Sequence, residues 1–252
     1  MPNTSSPAKP IVVRDFDRAE PAHTMEHTLD FLNWLRFINA GHYQGPGNVE
    51  AMDHAIARMP DEGRMLEIGS FAGLSTNQIG ALKRRHRRRT PLVTCDAWSF
   101  EGIDMDVRVG GHPVTFREYA AHVRETYARN VRFFSRDDVP ATVQMFSDEF
   151  FAAWGRGERA ADVVGGGQVT LGGALCFCFI DGDHTYGAAK RDFENTDRYL
   201  VRGGFVLMDD SGDGVPGPDG KPWGSWQVAK EVEAAGRYEL VMKTPNYLFR
   251  KR

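Results

Sequence analysis

Apolar positions along this chain keep a helical period at first and then switch between two periods. Between residues 24 and 40 they fall at Met25, Leu29, Leu32, Leu35 and Ile38, a one-sided stripe closed by Gly41. After Asn48 they recur at Val49, Met52, Ile56 and Met59, with Pro60 just beyond. From Arg64 onward, short apolar runs alternate with amphipathic stretches. The pattern predicts strands near 64–68, 92–96, 142–146, 175–181, 205–210, 238–243 and 247–251, with helices near 75–85, 116–130, 149–154, 186–201 and 226–235. Such alternation builds a parallel sheet covered on both faces, with ligands at the carboxyl ends of the strands. Only Thr244-Pro245-Asn246 separates the last two strands, so they are expected to form a hairpin. The reading is an α/β fold: a Rossmann-like seven-stranded sheet, mostly parallel, with an antiparallel C-terminal hairpin strand, helices on both faces and extra N-terminal helices. It divides the chain into a flexible arm at 1–22, a helical cap at 23–60 and a main domain at 61–252.

Three stretches depart from the alternation. Residues 160–173 carry Gly165-Gly166-Gly167 and Gly172-Gly173 and are expected to form a flexible surface excursion. Residues 211–221, rich in Gly, Pro and Asp, follow a carboxylate pair, a position that favours a substrate lid over a plain solvent loop. The connection at 98–130 is long and contains His112, which reads as a surface histidine more readily than as a second base.

Composition acts mainly by exclusion. A net charge of −3 leaves no polyanion signature. The basic run from Lys83 to Arg89 falls at the end of a predicted helix, where cations offset the helix dipole. It therefore reads as a solvated helix end or a subunit contact rather than a nucleic-acid surface. No apolar run approaches the ~20 residues of a membrane span. The first ten residues are polar and lack a secretory core. Cys95, Cys176 and Cys178 are an odd set without zinc spacing, and strand periodicity puts the last two on one face as buried thiols. These features describe a cytoplasmic protein that binds neither nucleic acid nor membrane. The stripe from Met25 to Ile38 suits either a cover over the core or the interface of a homo-oligomer.

The segment Met65-Leu66-Glu67-Ile68-Gly69-Ser70-Phe71-Ala72-Gly73 carries the first chemical signal. An apolar strand ends in an acid, and glycines follow two and six positions later. Such a strand–turn–helix admits a ligand close to the backbone, beside free helix N–H groups. Glu67 stands where a dinucleotide fingerprint has its first glycine, which disfavours a nicotinamide enzyme. The second signal lies on two later strand ends. Asp181-Gly182-Asp183-His184 closes one and Asp209-Asp210 the next. Tips of neighbouring strands lie about 5 Å apart, so Asp181, Asp209 and Asp210 would converge. Carboxylates so crowded repel unless they are protonated or hold a cation, and oxygen ligands suit Mg²⁺, Mn²⁺ or Ca²⁺. The alternative is a helix cap, which one such Asp would satisfy but two strand ends would not. His184 is placed to accept a proton near neutral pH.

At these residues the chain resembles the class I S-adenosylmethionine-dependent methyltransferases, and within them the metal-dependent O-methyltransferases of macrolide sugars. The resemblance runs from about Arg64 to Arg252. It implies that Asp181, Asp209 and Asp210 hold Mg²⁺ or another hard divalent cation, with His184 and Asp181 as the catalytic pair. Relatives often have Glu-Asp where this chain has Asp209-Asp210, and Asp183 is an alternative to Asp181. The resemblance places Gly69, Ser70 and Gly73 at the methionine and ribose end of S-adenosylmethionine, with Glu67 below the turn. It puts Asp96 at the ribose, and Ser147 and Asp148 near the adenine. Ser75 serves the cofactor or caps the helix. The implied reaction is O-methylation of a small molecule or glycoside, as in natural-product sugar tailoring. A catechol-like phenol is the alternative acceptor, and a non-catalytic cofactor-binding subunit the alternative role.

Overall fold

The computed structural model describes residues 47–99, 103–109, 113–217 and 220–252. The expected arm, the helix at 24–40 and His112 lie outside them. Six helices are described: α1 (Asn48–Arg58), α2 (Leu74–Arg85), α3 (Phe116–Phe134), α4 (Ser147–Arg156), α5 (Tyr186–Tyr199) and α6 (Gly224–Ala235). The strands are β1 (Arg64–Ile68), β2 (Leu92–Cys95), β3 (Ala141–Val143), β4 (Arg159–Ala161), β5 (Gln168–Thr170), β6 (Leu175–Ile180), β7 (Leu200–Met208), β8 (Tyr238–Lys243) and β9 (Tyr247–Lys251).

Seven strands form one sheet in the order β3-β2-β1-β6-β7-β9-β8. The first five of that order run parallel, whereas β9 is antiparallel to both β7 and β8. The order reverses between β1 and β6, which opens a crevice at their carboxyl ends. The strand ends there are flush. Ile68 pairs with Ile180, and Ile180 with Met208. The ladder continues one residue further, with Asp181 N bonded to Ile68 O and Asp209 N to Ile180 O, both at 2.8 Å. This register brings Gly69, Asp181 and Asp209 to one level.

Apolar side chains cover the sheet on both faces. On one, Cys178, Ile180 and Val206 pack with Phe150, Trp154, Phe193 and Val228 of α4, α5 and α6. On the other, Phe177, Phe179 and Leu207 pack with Met52 and Ile56 of α1 and Ile79 and Leu82 of α2. The α1 stripe is thus part of the main core. Helix α3 opens with a capping box between Thr115 and Glu118 and packs Val123, Tyr127 and Val131 against Trp98 and Ala72.

Three expectations need correction. Cys176 and Cys178 face opposite sides, because the register of β6 shifts between Leu175 and Phe177 and the irregularity breaks the period of two. The excursion at 160–173 contains an antiparallel pair, β4 with β5, and Asp162 Oδ1 accepts the N–H groups of Thr142, Val164 and Gly165. The basic run is a solvated helix end only in part: Arg87 and Arg89 are exposed, but other cations of the run have partners. Lys83 is buried against Asp138 at 2.6 Å, His86 meets Asp53 at 2.8 Å, and Arg88 donates to the carbonyls of Ile56 and Ala57 and to Asp61. His86 and Arg88 tie the end of α2 to α1 and the turn after it, and Lys83 ties α2 to the segment that follows α3.

Candidate active site

A cleft of about 690 Å³ opens at the strand ends. That volume falls within the range usual for small-molecule sites, about 300–1,000 Å³. Its walls include Gly69, Phe71, Asp96, Trp98, Phe146, Ser147, Asp148, Asp181, His184 and Asp192.

The glycine turn is shaped by one neighbour. Gly69 has φ 81°, and a Cβ there would stand 1.9 Å from the carbonyl oxygen of Asp181, so no side chain fits. Asp96 holds the next residues. Its Oδ2 accepts the N–H groups of Ser70 and Phe71, each at 2.8 Å, and its Oδ1 accepts that of Trp98 at 2.6 Å. Phe71 and Trp98 have positive φ, as does Asp210. Left-handed backbone in non-glycine residues costs about 1–3 kcal/mol each and gathers at functional sites. The Ser70 hydroxyl is buried with no hydrogen-bond partner among the described residues.

Glu67 lies under the turn, wholly buried, and accepts hydrogen bonds from Ser75 and from Thr76 Oγ1. Burial pushes its carboxyl up to about 7, while the two hydroxyl bonds pull the other way. Gly73 faces Tyr127 and Val131 of α3. Gly73 and Ser75 therefore serve the packing below the turn, one layer back from the cleft wall.

At the other wall, Asp148 pairs with Arg191 at 3.0 Å. Asp192 was not anticipated from the sequence. It is 2% exposed, lies beside Ser147, and its Oδ1 has no partner among the described residues. Burial lifts its carboxyl to about 7 against the Ser147 hydrogen bond. A signal for it existed: an acid on the buried stripe Ala188–Asp192–Thr196 of α5.

Asp181, His184 and Asp209 each offer a donor atom, and these atoms lie within 4.8 Å of one another. Asp181 is held well above the ordinary carboxylate range, first by burial and then by the adjacent Asp209. The carboxylates of Asp181 and Asp209 offer the oxygen donors that a hard divalent ion takes, with the His184 imidazole beside them. Asp210 departs from its expected place in that set. Its backbone takes φ 48° and its Oδ2 stands 3.6 Å from His184 Nε2, with Asp181 Oδ1 at 3.7 Å on the same nitrogen. Burial raises the Asp210 carboxyl, and the nearby His184 opposes that rise. Asp183 instead turns to the backbone and accepts Thr185 N at 2.7 Å.

Further residues fix this cluster. Ser225 braces both acidic loops, donating its N–H to His184 O at 3.2 Å and its hydroxyl to Asp210 O at 2.8 Å. Trp223 lies edge-on to the His184 ring at 5.3 Å between centroids. Asp213 anchors the loop after Asp210 by accepting hydrogen bonds from Trp226 Nε1, Tyr247 Oη and Lys243 Nζ. Among the described residues, no helix is long and apolar enough to cross a membrane.

Sheet order, switch-point cleft and acidic strand ends together define the class I, S-adenosylmethionine-dependent methyltransferase fold. A methyltransferase-domain family model matches residues 66–211, more than half of the chain, and the chain belongs to that family as a methyltransferase. Solved structures agree on the fold. An O-methyltransferase from Bacillus cereus in complex with SAH superposes with a TM-score of 0.55 at 15% identity, covering 88% of this chain and 91% of that one. The O-methyltransferase NovP gives 0.53 at 16%, covering 82% and 80%. CalS11, a TDP-rhamnose 3'-O-methyltransferase in calicheamicin biosynthesis, gives 0.51 at 15%, covering 92% and 88%. No curated relative matches the sequence.

Proposed function

We propose that this chain transfers the methyl group of S-adenosylmethionine to a hydroxyl of a small molecule or glycoside, at a divalent cation held by Asp181 and Asp209. The observation that carries the reading is the convergence of Asp181, His184 and Asp209 at the edge of the cleft that begins at Gly69. The turn from Gly69 to Phe71, with the unpartnered Ser70 hydroxyl, suits the methionine end. Asp96 has used about three of its four lone-pair positions on backbone N–H groups, leaving one for a ribose hydroxyl. Ser147, Asp148 and Asp192 line the opposite end, where the adenine would lie.

A divalent ion such as Mg²⁺, when bound, supplies polarisation of the acceptor hydroxyl. His184 Nε2 takes the hydroxyl proton, and Asp181 and Asp210 stabilise the imidazolium that results. The acceptor oxygen forms its bond to the methyl carbon as the carbon–sulfur bond breaks, the sulfur keeping the electron pair. Holding oxygen and methyl carbon in line supplies much of the rate. A sugar acceptor is favoured by the likeness to CalS11, a TDP-rhamnose 3'-O-methyltransferase. Asp210 acts through His184 rather than as an ion ligand.

The test is methyl transfer to a vicinal-diol glycoside with metal-stripped protein, then with added Mg²⁺, alongside calorimetry with S-adenosylhomocysteine. Wild type should turn over only with Mg²⁺. His184→Ala should lose a factor of about 10² to 10⁴ in turnover at unchanged S-adenosylhomocysteine affinity. Full turnover by that variant removes His184 from the reaction, and turnover in the stripped protein removes the ion.

A further inference from the structure

Asp209 is gripped from two distant parts of the chain. Asn48, the first residue of α1, and Asn246, in the turn before β9, both donate a side-chain N–H to Asp209 Oδ1 at 2.5 Å. Asn246 Nδ2 also reaches Asn48 Oδ1 at 2.9 Å. All three side chains are buried. The pairing of Met208 with Tyr247 sets Asn246 opposite Asp209, and the packing of α1 on the sheet brings Asn48 to the same place.

Neither amide is free to turn over. Asn246 Oδ1 accepts the N–H of Ser211 at 3.0 Å, so a flipped amide would set NH₂ against N–H and oxygen against carboxylate. Asn48 Oδ1 is held in the same sense by Asn246 Nδ2. Releasing either group would leave a buried polar atom unpaired. Asp209 Oδ1 therefore spends both lone pairs on amides, and Oδ2, which neither amide takes, is the oxygen left to serve an ion.

That restriction bears on ion choice. Ca²⁺ takes six to eight oxygens and commonly uses both oxygens of a carboxylate, whereas Mg²⁺ keeps an octahedron of single contacts and several waters. We propose that Asn48 and Asn246 form a clamp that makes Asp209 a one-oxygen ligand, and so select small octahedral ions such as Mg²⁺ and Mn²⁺ over Ca²⁺. The inference rests on the cation site proposed above. The two asparagines are positioning residues, since they touch the ligand and not the ion.

The experiment is Mn²⁺ binding to metal-stripped full-length protein, followed by electron paramagnetic resonance, with Mg²⁺ and Ca²⁺ as competitors. Wild type should bind Mn²⁺ and release it to Mg²⁺ more readily than to Ca²⁺. Asn48→Leu and Asn246→Leu keep the volume and remove the amide. Each should lower Mn²⁺ affinity about 10- to 100-fold, as loss of a ligand's supporting hydrogen bond does. Each should also move the order of competition toward Ca²⁺, a change that a merely structural role would not produce. S-adenosylhomocysteine calorimetry serves as the check on folding. Where a leucine variant does not fold, Asn48→Ser, a smaller change, carries the same comparison. Mn²⁺ bound by wild type with an unchanged ion order in the variants overturns the clamp alone. No Mn²⁺ bound by wild type overturns the cation site, and the clamp with it.

Discussion

Replacing Glu67 by glutamine should change how the stability of this protein depends on pH. The carboxyl is wholly buried beneath the glycine turn, bonded by Ser75 and Thr76. Burial moves it from 4.5 to about 7. Unfolding returns it to water and to its ordinary value. Between those two values the unfolded chain has shed the proton that the folded chain keeps, so stability falls as pH rises through this window. The contribution is intact below the lower value and fully lost above the upper one. At about 1.4 kcal/mol per pH unit the loss amounts to about 3 kcal/mol. Glutamine copies the protonated acid: its carbonyl can accept Ser75, its amide can donate to the Thr76 oxygen, and it has no proton to lose.

The assay is urea unfolding of wild type and Glu67→Gln at several pH values from 5 to 8. The useful quantity is the difference between the two proteins, because Asp181, Asp192 and Asp210 titrate in both and largely cancel. The variant should gain about 2.5 kcal/mol on wild type across that range, part of the loss lying below pH 5. Parallel curves, or a wild type that gains on the variant as pH rises, would mean that Glu67 is ionised in the folded state. The turn would then rest on a buried anion.

Two further perturbations address the site. Asp96→Asn should lower both stability and S-adenosylhomocysteine affinity, because three backbone N–H groups need that carboxylate and an amide must turn its own NH₂ toward one of them; weakened binding at an unchanged melting temperature would confine Asp96 to the ligand. Asp213→Ala removes the acceptor shared by Trp226, Tyr247 and Lys243. Amide exchange across residues 211–217 and 220–223 should then speed up while the central sheet keeps its protection, and unchanged exchange would show that these residues are held by something else.

The sheet was legible because each parallel strand is a short apolar run and each helix carries a one-sided stripe. β6, read from the run Leu175 to Ile180, is buried along its whole length, as a central parallel strand must be. The misreadings share one cause: local composition hides tertiary partners. The glycines at 165–167 looked like slack chain, yet Asp162 folds them into a turn that closes β4 on β5. Lys83 looked like a surface cation because its partner, Asp138, lies beyond β2 and α3. Nothing in the period of two announces the shift at Cys176.

Within the site, strand-end residues were legible and the residues that hold them were not. Gly69, Asp96, Asp181 and Asp209 each follow a strand directly, so the sheet alone determines where they go. Asn48 read as a helix start, the usual role of Asn before a stripe. In the structure α1 begins at Asn48 itself, Gly47 occupies the cap position without a side-chain bond, and the amide points to Asp209 instead. Asn246 read as a hairpin residue, and Ser225 lies in the first turn of α6, one residue before the expected helix at 226–235. Both play those local parts while their side chains bond acidic loops elsewhere in the chain. A polar residue with a sufficient local role gives no sign of a second, distant one. The sign appears only when burial is known, because a buried amide must find partners and the nearest here is the carboxylate of Asp209. The supporting shell of an active site is therefore the part that a single sequence conceals most.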